Sequence, residues 1–182
     1  RWESTTPSRL FNLFSGYAFK STDKTASGAK WLKIANVGIG AVKWDDDSYL
    51  PESYYELFNR FTLHKGDIVI ALTRPTLGNK LKVARLQSES DKSLLNQRVA
   101  KVICAENTDA GFIYQVLRSD TFAYRINKAL LGTDPPNLSM KVLQDFTILV
   151  PPFEEYSNGS PLLKLCPFIV TVLVSTLTPI PG

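Results

Sequence analysis

A chain of 182 residues, 44% hydrophobic and 21% charged, suits one domain of ordinary size with a substantial core, which excludes wholesale disorder. Its 21 Lys and Arg against 17 Asp and Glu leave a net charge of +4, a mild excess that admits a nucleic-acid partner without requiring one. Two distant cysteines, Cys104 and Cys166, and a single histidine, His64, fall at no metal-ligand spacing, so reduced structural thiols in a cytoplasmic protein are expected and a zinc site is not. The start, Arg1-Trp2-Glu3-Ser4-Thr5-Thr6, lacks the apolar region of a signal peptide. It also lacks Met, as expected of a chain that begins inside a longer reading frame or at a processed end.

In chain order, Pro7 suits the first turn of a helix capped by Thr5 or Thr6, with Leu10, Phe11, Leu13 and Phe14 as its apolar face and Gly16 as its end. Trp31-Leu32-Lys33-Ile34 and Ala41-Val42-Lys43-Trp44 read as short strands joined by a turn at Gly38 to Gly40. Asp45-Asp46-Asp47-Ser48 reads as a solvated loop, since a calcium loop needs alternating ligands and a glycine. Ile68 to Leu72 is a continuous apolar run of strand length, which predicts burial on both faces. Leu81, Val83 and Leu86 suggest another strand, and Val99 to Ile103 a further one.

From Ala110 onward the period becomes helical. Phe112, Ile113, Val116 and Leu117 form one stripe, and Phe122, Ala123, Ile126, Ala129 and Leu130 a second. Thr108 or Asp109 can cap the first helix, Ser119 can start the second, and Gly132 sits where a C-terminal glycine belongs. Ser139 then caps a single turn carrying Met140 and Leu143 before a closing strand. The expected fold is a mixed α/β domain in which strands outnumber helices.

The stretch from Thr73 to Lys82 is the leading candidate for ligand contact. Pro75 and Gly78 fix a turn after a buried strand, which holds Arg74, Thr76, Asn79 and Lys80 on an exposed loop, with Thr73 and Lys82 as further candidates at its two ends. Arg can take guanine bidentately, Asn can take adenine, and Lys and Thr reach phosphates or base edges. On composition alone the simpler reading, a polar hairpin without a partner, is preferred. Secondary candidates are Lys20, Lys30, Lys33, Asn36 and Lys43. Lys33 and Lys43 must be exposed if Leu32, Ile34, Val42 and Trp44 face inward, although such a basic strand face is more often simply solvated.

Asn96-Gln97-Arg98 stands between apolar residues and reads as a buried or half-buried structural network, worth on the order of 1.5–3 kcal/mol per hydrogen bond to a charged group. Thr133-Asp134-Pro135-Pro136-Asn137 resembles the Asp-Pro-Pro-aromatic loop of adenine-N6 methyltransferases. Asn137 cannot stack on a base, however, and no glycine-rich loop for a methyl donor is present, so a connecting loop is preferred. There is no nucleophile elbow, phosphate loop or paired-carboxylate pattern. Neither catalysis nor a cofactor is expected.

Three phrases in fixed order carry a family resemblance: Lys65-Gly66-Asp67-Ile68-Val69-Ile70-Ala71; Leu94-Leu95-Asn96-Gln97-Arg98-Val99; and Leu143-Gln144-Asp145-Phe146-Thr147-Ile148-Leu149-Val150 running into Pro151-Pro152-Phe153-Glu154-Glu155. Together, over residues 10–155, they resemble the target recognition domain of a type I restriction-modification specificity subunit. In that family Asn-Gln-Arg recurs as scaffold, and Gly132, Asn137, Leu138 and Ser139 match its glycine-led loop before an Asn-Leu-Ser helix start. The resemblance implies an α+β domain with a twisted, largely antiparallel β core and a few flanking helices. It also implies a non-enzymatic reader of one half of a bipartite site on double-stranded DNA, in a bacterial or archaeal cytoplasm. It reverses the order of readings for residues 73–82, because such domains set variable loops against the major groove. Methylating and restriction subunits would be the partners of an intact system.

The pattern breaks after residue 156. The family's Pro-Pro-Leu-x-Glu-Gln opens a spacer helix that docks the methylating subunits, whereas Pro151-Pro152-Phe153-Glu154-Glu155-Tyr156 leads here into Ser157-Asn158-Gly159-Ser160-Pro161, which breaks helices. Residues 1–156 are therefore expected as the recognition domain and 157–182 as an apolar tail in place of the spacer. Its run Ile169-Val170-Thr171-Val172-Leu173-Val174 is β-prone, shorter than the roughly 20 apolar residues of a membrane span, and resembles sequence read in another frame after truncation. The missing spacer argues against the usual dock. A remnant, a self-associating module with the tail packed on its own domain or on a second copy, and a methyltransferase fragment are the alternatives.

Overall fold

The computed structural model describes residues 3–45 and 48–152. Expectations for Asp46 and Asp47, for the residues from Phe153 on and for the tail lie outside the described residues. In chain order the elements are β1 (Glu3–Thr5), β2 (Phe11–Ser15), β3 (Ala29–Leu32), β4 (Tyr49–Leu50), the single-turn α1 (Tyr54–Leu57), β5 (Thr62–Leu63) and β6 (Ile68–Ala71). There follow β7 (Thr76–Leu77), β8 (Lys80–Leu81), β9 (Val83–Arg85), β10 (Ser93–Leu95), β11 (Val99–Cys104), α2 (Ala110–Arg118), α3 (Asp120–Ala129) and β12 (Ile148–Val150).

The central sheet has the order β2-β11-β6-β9, with every pair antiparallel. A second sheet, β4-β3-β10-β5, contains a parallel pair, β10 on β3. β1 pairs with β12, and β7 with β8 as a small hairpin. The expected α+β class with a largely antiparallel core therefore holds.

Alternation along β6 explains its unbroken apolar sequence. Ile68 and Ile70 face the main core with Phe112, Ile113, Val116, Leu117, Phe122 and Ile126 of α2 and α3. Val69 faces the opposite way, into a second core with Leu32, Leu63 and Leu95. The central sheet is thus covered by helices on one face and by the second sheet on the other, and each step of the pleat buries a side chain.

The helices follow the sequence reading closely. Asp109, of the two candidates, caps α2 by accepting the Phe112 N–H at 2.8 Å, and Ser119 Oγ caps α3 by accepting the Phe122 N–H at 3.2 Å. Ala129, expected inside, is exposed at the end of α3. Gly132 takes a φ of +80° just beyond it. The turn expected after Ser139 is a 3-10 turn, Val142–Gln144, with Leu143 fully buried.

Two expectations give way to tertiary pairing. Pro7 does open a helical turn, but it is only the 3-10 turn Pro7–Arg9, and Phe11 to Ser15 form a strand. Five registered partners on β11, from Cys104↔Phe11 to Ala100↔Ser15, outweigh a helix too short to be stable alone. The residues also fit period two: Phe11 and Leu13 pack on the main core, and Phe14 on the second. Ala41 to Trp44 form no strand. Val42 makes only a bridge to Val37, while Val42 and Trp44 still pack inward.

Candidate nucleic-acid interface

Strand β6 ends at Ala71 between two neighbours whose flanking residues are cationic. On one side the Ala71 N–H donates to the Lys82 carbonyl at 3.0 Å, and on the other the Leu72 N–H donates to the Arg98 carbonyl at 2.9 Å. Lys82 immediately precedes β9 and Arg98 immediately precedes β11. Antiparallel pairing therefore brings both to the sheet end where β6 delivers Thr73 and Arg74. The result is a surface pocket of about 480 Å³ lined by Ile34, Ala35, Thr73, Arg74, Lys82, Arg98 and Pro135. Three of those side chains are cationic and none is acidic.

The position of Arg74 is set by the main chain. It is the non-glycine residue with positive φ, +48°, among the described residues, a conformation that costs an ordinary side chain about 1–2 kcal/mol. Neighbouring bonds hold it there. The Arg74 N–H donates to Pro136 O at 2.8 Å, Thr73 Oγ1 donates to Asn137 Oδ1 at 2.8 Å, and the Leu138 N–H donates to Leu72 O at 2.8 Å. The loop that resembled a methyltransferase motif is therefore a wall of the pocket, contributing Pro135 to its lining. Lys82 is half-buried, its ammonium donates to Ile34 O at 3.0 Å, and burial pulls its pKa below the ordinary lysine value.

Beyond Pro75, β7 and β8 form a hairpin whose tip is Gly78-Asn79, with Gly78 at a φ of +59° as the first central residue, where a II′ turn places glycine. The hairpin rests on α3. Thr76 Oγ1 donates to Asn127 Oδ1 at 2.6 Å, Asn127 Nδ2 donates to Gly78 O at 3.3 Å, and Lys80 pairs with Asp120. Arg74 and Asn79 are exposed, whereas Thr73, Thr76, Lys80 and Lys82 are half-buried.

The secondary candidates scatter. Asn36 is buried, contrary to a reading role: its Oδ1 accepts the Lys33 N–H at 2.9 Å and its amide donates to Lys43 O at 3.0 Å, which folds the loop behind Ile34 and Ala35. Lys33, expected to be exposed, is half-buried, and its ammonium reaches Ser48 Oγ at 2.7 Å beside the Trp31 ring. Lys43 is exposed on the loop adjoining the pocket wall, and Lys20 is exposed but does not line the pocket.

Asn96-Gln97-Arg98 carries its structural role through the main chain rather than through a buried side-chain network. The Asn96 N–H donates to Leu32 O and the Gln97 N–H to Tyr17 O, while Asn96 Oδ1 accepts the Arg98 N–H at 3.0 Å. The Gln97 and Arg98 side chains are exposed. The sequence reading thus missed Arg98 as a pocket residue. A signal was present: Arg98, like Lys82, directly precedes an apolar strand that pairs with β6.

Comparison with known proteins settles the family. The model of the family described as "Type I restriction modification DNA specificity domain" matches residues 1–158. The chain belongs to this family. Among relatives of the specificity domain, the type I restriction enzyme MjaVIII specificity subunit of Methanocaldococcus jannaschii is 36% identical over 164 residues, which are 90% of this chain and 39% of that protein. The EcoAI specificity subunit of Escherichia coli is 33% identical over 144 residues, 79% of this chain and 24% of that protein. The chain therefore spans about two fifths and one quarter of these relatives. The HsdS subunit of Thermoanaerobacter tengcongensis shares the fold at a TM-score of 0.56 and 15% identity, covering 97% of this chain and 40% of that one. The type I S subunit from M. genitalium does so at 0.53 and 18%, covering 82% and 34%.

Proposed function

We propose that this specificity domain reads a short sequence on double-stranded DNA, as one half of a bipartite site, and carries no catalytic group of its own. The observation that carries the reading is the convergence of Arg74, Lys82 and Arg98 on one concavity whose lining contains no carboxylate. Cations with no acidic counterpart, on the flank of an exposed polar hairpin, suit a polyanion with readable edges. Asn79 at the tip of the hairpin is the candidate base reader, with Thr76 and Lys80 behind it and Lys43 on the neighbouring loop. A second recognition domain would read the other half-site, and partner subunits would supply methyl transfer and cleavage.

Titration of the full chain with duplex DNA at two salt concentrations tests this. A single module with a net charge of +4 should bind unrelated duplexes at about 10⁻⁴–10⁻⁶ M near physiological salt, and more tightly at lower salt. Absence of binding even at low salt would leave a structural or vestigial role.

A further inference from the structure

We infer that the pocket at the end of β6 is a seat for one phosphate-type anion held by Arg74, Lys82 and Arg98, so that these residues position DNA while the hairpin tip reads it. This deepens the DNA-reading proposal and rests on it.

The three cations converge without a compensating carboxylate in the pocket lining. Among the described residues, ion pairs join Lys80 to Asp120 and Lys101 to Asp67, and none engages Arg74, Lys82 or Arg98. Like charges sharing a concavity repel, and an anion between them turns that repulsion into attraction. The three residues are also held rigidly. The Arg74 backbone is fixed by Pro136 O, the Lys82 backbone by an N–H bond to Pro75 O at 2.7 Å, and the Arg98 carbonyl by Leu72. A base reader must project into a groove, whereas a phosphate seat needs donors fixed around a concave point. Lys82 fits only the second role, being half-buried with its ammonium tethered to Ile34 O. Guanidinium groups match the paired oxygens of a phosphate, and Thr73 and Pro135 complete the wall.

The anion can come from the DNA backbone or from a free phosphate, and the test separates them. The full chain is titrated with inorganic phosphate and with pyrophosphate while the side-chain Nε–H signals of Arg74 and Arg98 are followed by NMR. Both signals should shift together, and Lys82→Gln should weaken the shift. In parallel, Arg98→Gln and Arg74→Gln are compared with the parent chain on duplexes differing at each base pair, with thermal unfolding as the folding control. Each variant should lose roughly tenfold in affinity on every duplex alike and flatten the salt dependence by about one unit. A preference altered at one base pair, with phosphate signals unmoved, would overturn the seat while leaving DNA reading intact. Phosphate occupancy with no duplex binding at any salt would overturn DNA reading while leaving the seat. If Arg74→Gln fails to fold at its positive φ, Arg98→Gln and Lys82→Gln decide the matter alone.

Discussion

The backbone N–H of Arg74 donates to the carbonyl of Pro136 at 2.8 Å, joining two loops that lie more than sixty residues apart in the chain. Because Thr73 and Asn137 add a side-chain bond beside it, the conformation of Arg74 depends on a loop that would otherwise look like mere connection. Asn137 also braces its own loop through Nδ2 to Pro135 O at 3.0 Å. Asn137→Ala should therefore loosen the Arg74 loop, at a cost of about 0.5–1.5 kcal/mol per lost bond. The expected result is weaker duplex binding and faster amide exchange at Arg74, with little change in global melting. Unchanged exchange at Arg74 would show that the two loops are not coupled.

The hairpin tip gives a separate prediction. Asn79→Ala should relax preference at one base pair by about 1–3 kcal/mol without altering the salt slope, since no charge is removed. Asp120→Asn should act oppositely. It frees Lys80, whose exposed pair with Asp120 is worth about 0–1 kcal/mol, and it removes a negative charge beside the proposed interface. Duplex affinity should rise at low salt. Melting should fall slightly, since Asp120 stands in the first turn of α3, where a carboxylate contributes about 0.3–1 kcal/mol.

How much of this was legible depended on whether local pattern and tertiary pairing agreed. The two amphipathic helices, their caps and the buried strand β6 were readable because period, caps and burial all pointed the same way. Phe11 to Ser15 misled because a proline at a helix start and a short apolar cluster satisfy both periods, and only the partner strand β11 decides between them. The loop at residues 73–82 was legible from its turn residues and polarity. The place of the Arg98 side chain in the pocket lining was not, because Lys82 and Arg74 are brought beside it by antiparallel pairing across a sheet that local sequence does not reveal. Asn36 misled in the reverse direction: a polar residue beside a strand stood as a candidate for DNA contact, yet it is buried as the brace of its own loop.

Gly16 is a position where backbone contact dictates the residue. A Cβ there would meet the Leu95 carbonyl oxygen at 2.1 Å and the Asn96 carbonyl oxygen at 2.5 Å. It marks the point where the chain leaving β2 runs against β10 and the Asn96-Gln97-Arg98 segment. Backbone atoms cannot swing aside as a side-chain tip can, so Gly16→Ala should force the two segments apart and cost at least the roughly 1–3 kcal/mol of an overpacked site. Chemical denaturation should show the loss. A variant as stable as the parent would mean that this approach is not a fixed feature of the fold.

The last prediction concerns acid. Asp91 ends the 3-10 turn Glu89–Asp91 before β10, in a polar seam with Trp44 and Lys30. Burial pushes its carboxyl pKa up, but the Trp44 indole N–H at 2.9 Å, the Ser88 and Gln87 N–H groups at 3.0 and 2.9 Å, and the Lys30 charge together hold it below the ordinary aspartate value. A carboxyl whose folded pKa is depressed contributes stability that is fully present above its unfolded value, about 3.9. That contribution is lost as the pH falls through the folded value. Asp91→Asn replaces charge-assisted bonds by neutral ones, so it should cost on the order of 1 kcal/mol at neutral pH. The cost should shrink as the pH drops below about 4, because the parent carboxylate is then being protonated too. Thermal melts of parent and variant between neutral pH and strong acid should therefore converge at the acid end. Curves that stay parallel throughout would mean that Asp91 titrates as an ordinary surface carboxyl and that its bonds to Trp44 and the Gln87–Ser88 turn do not hold the seam.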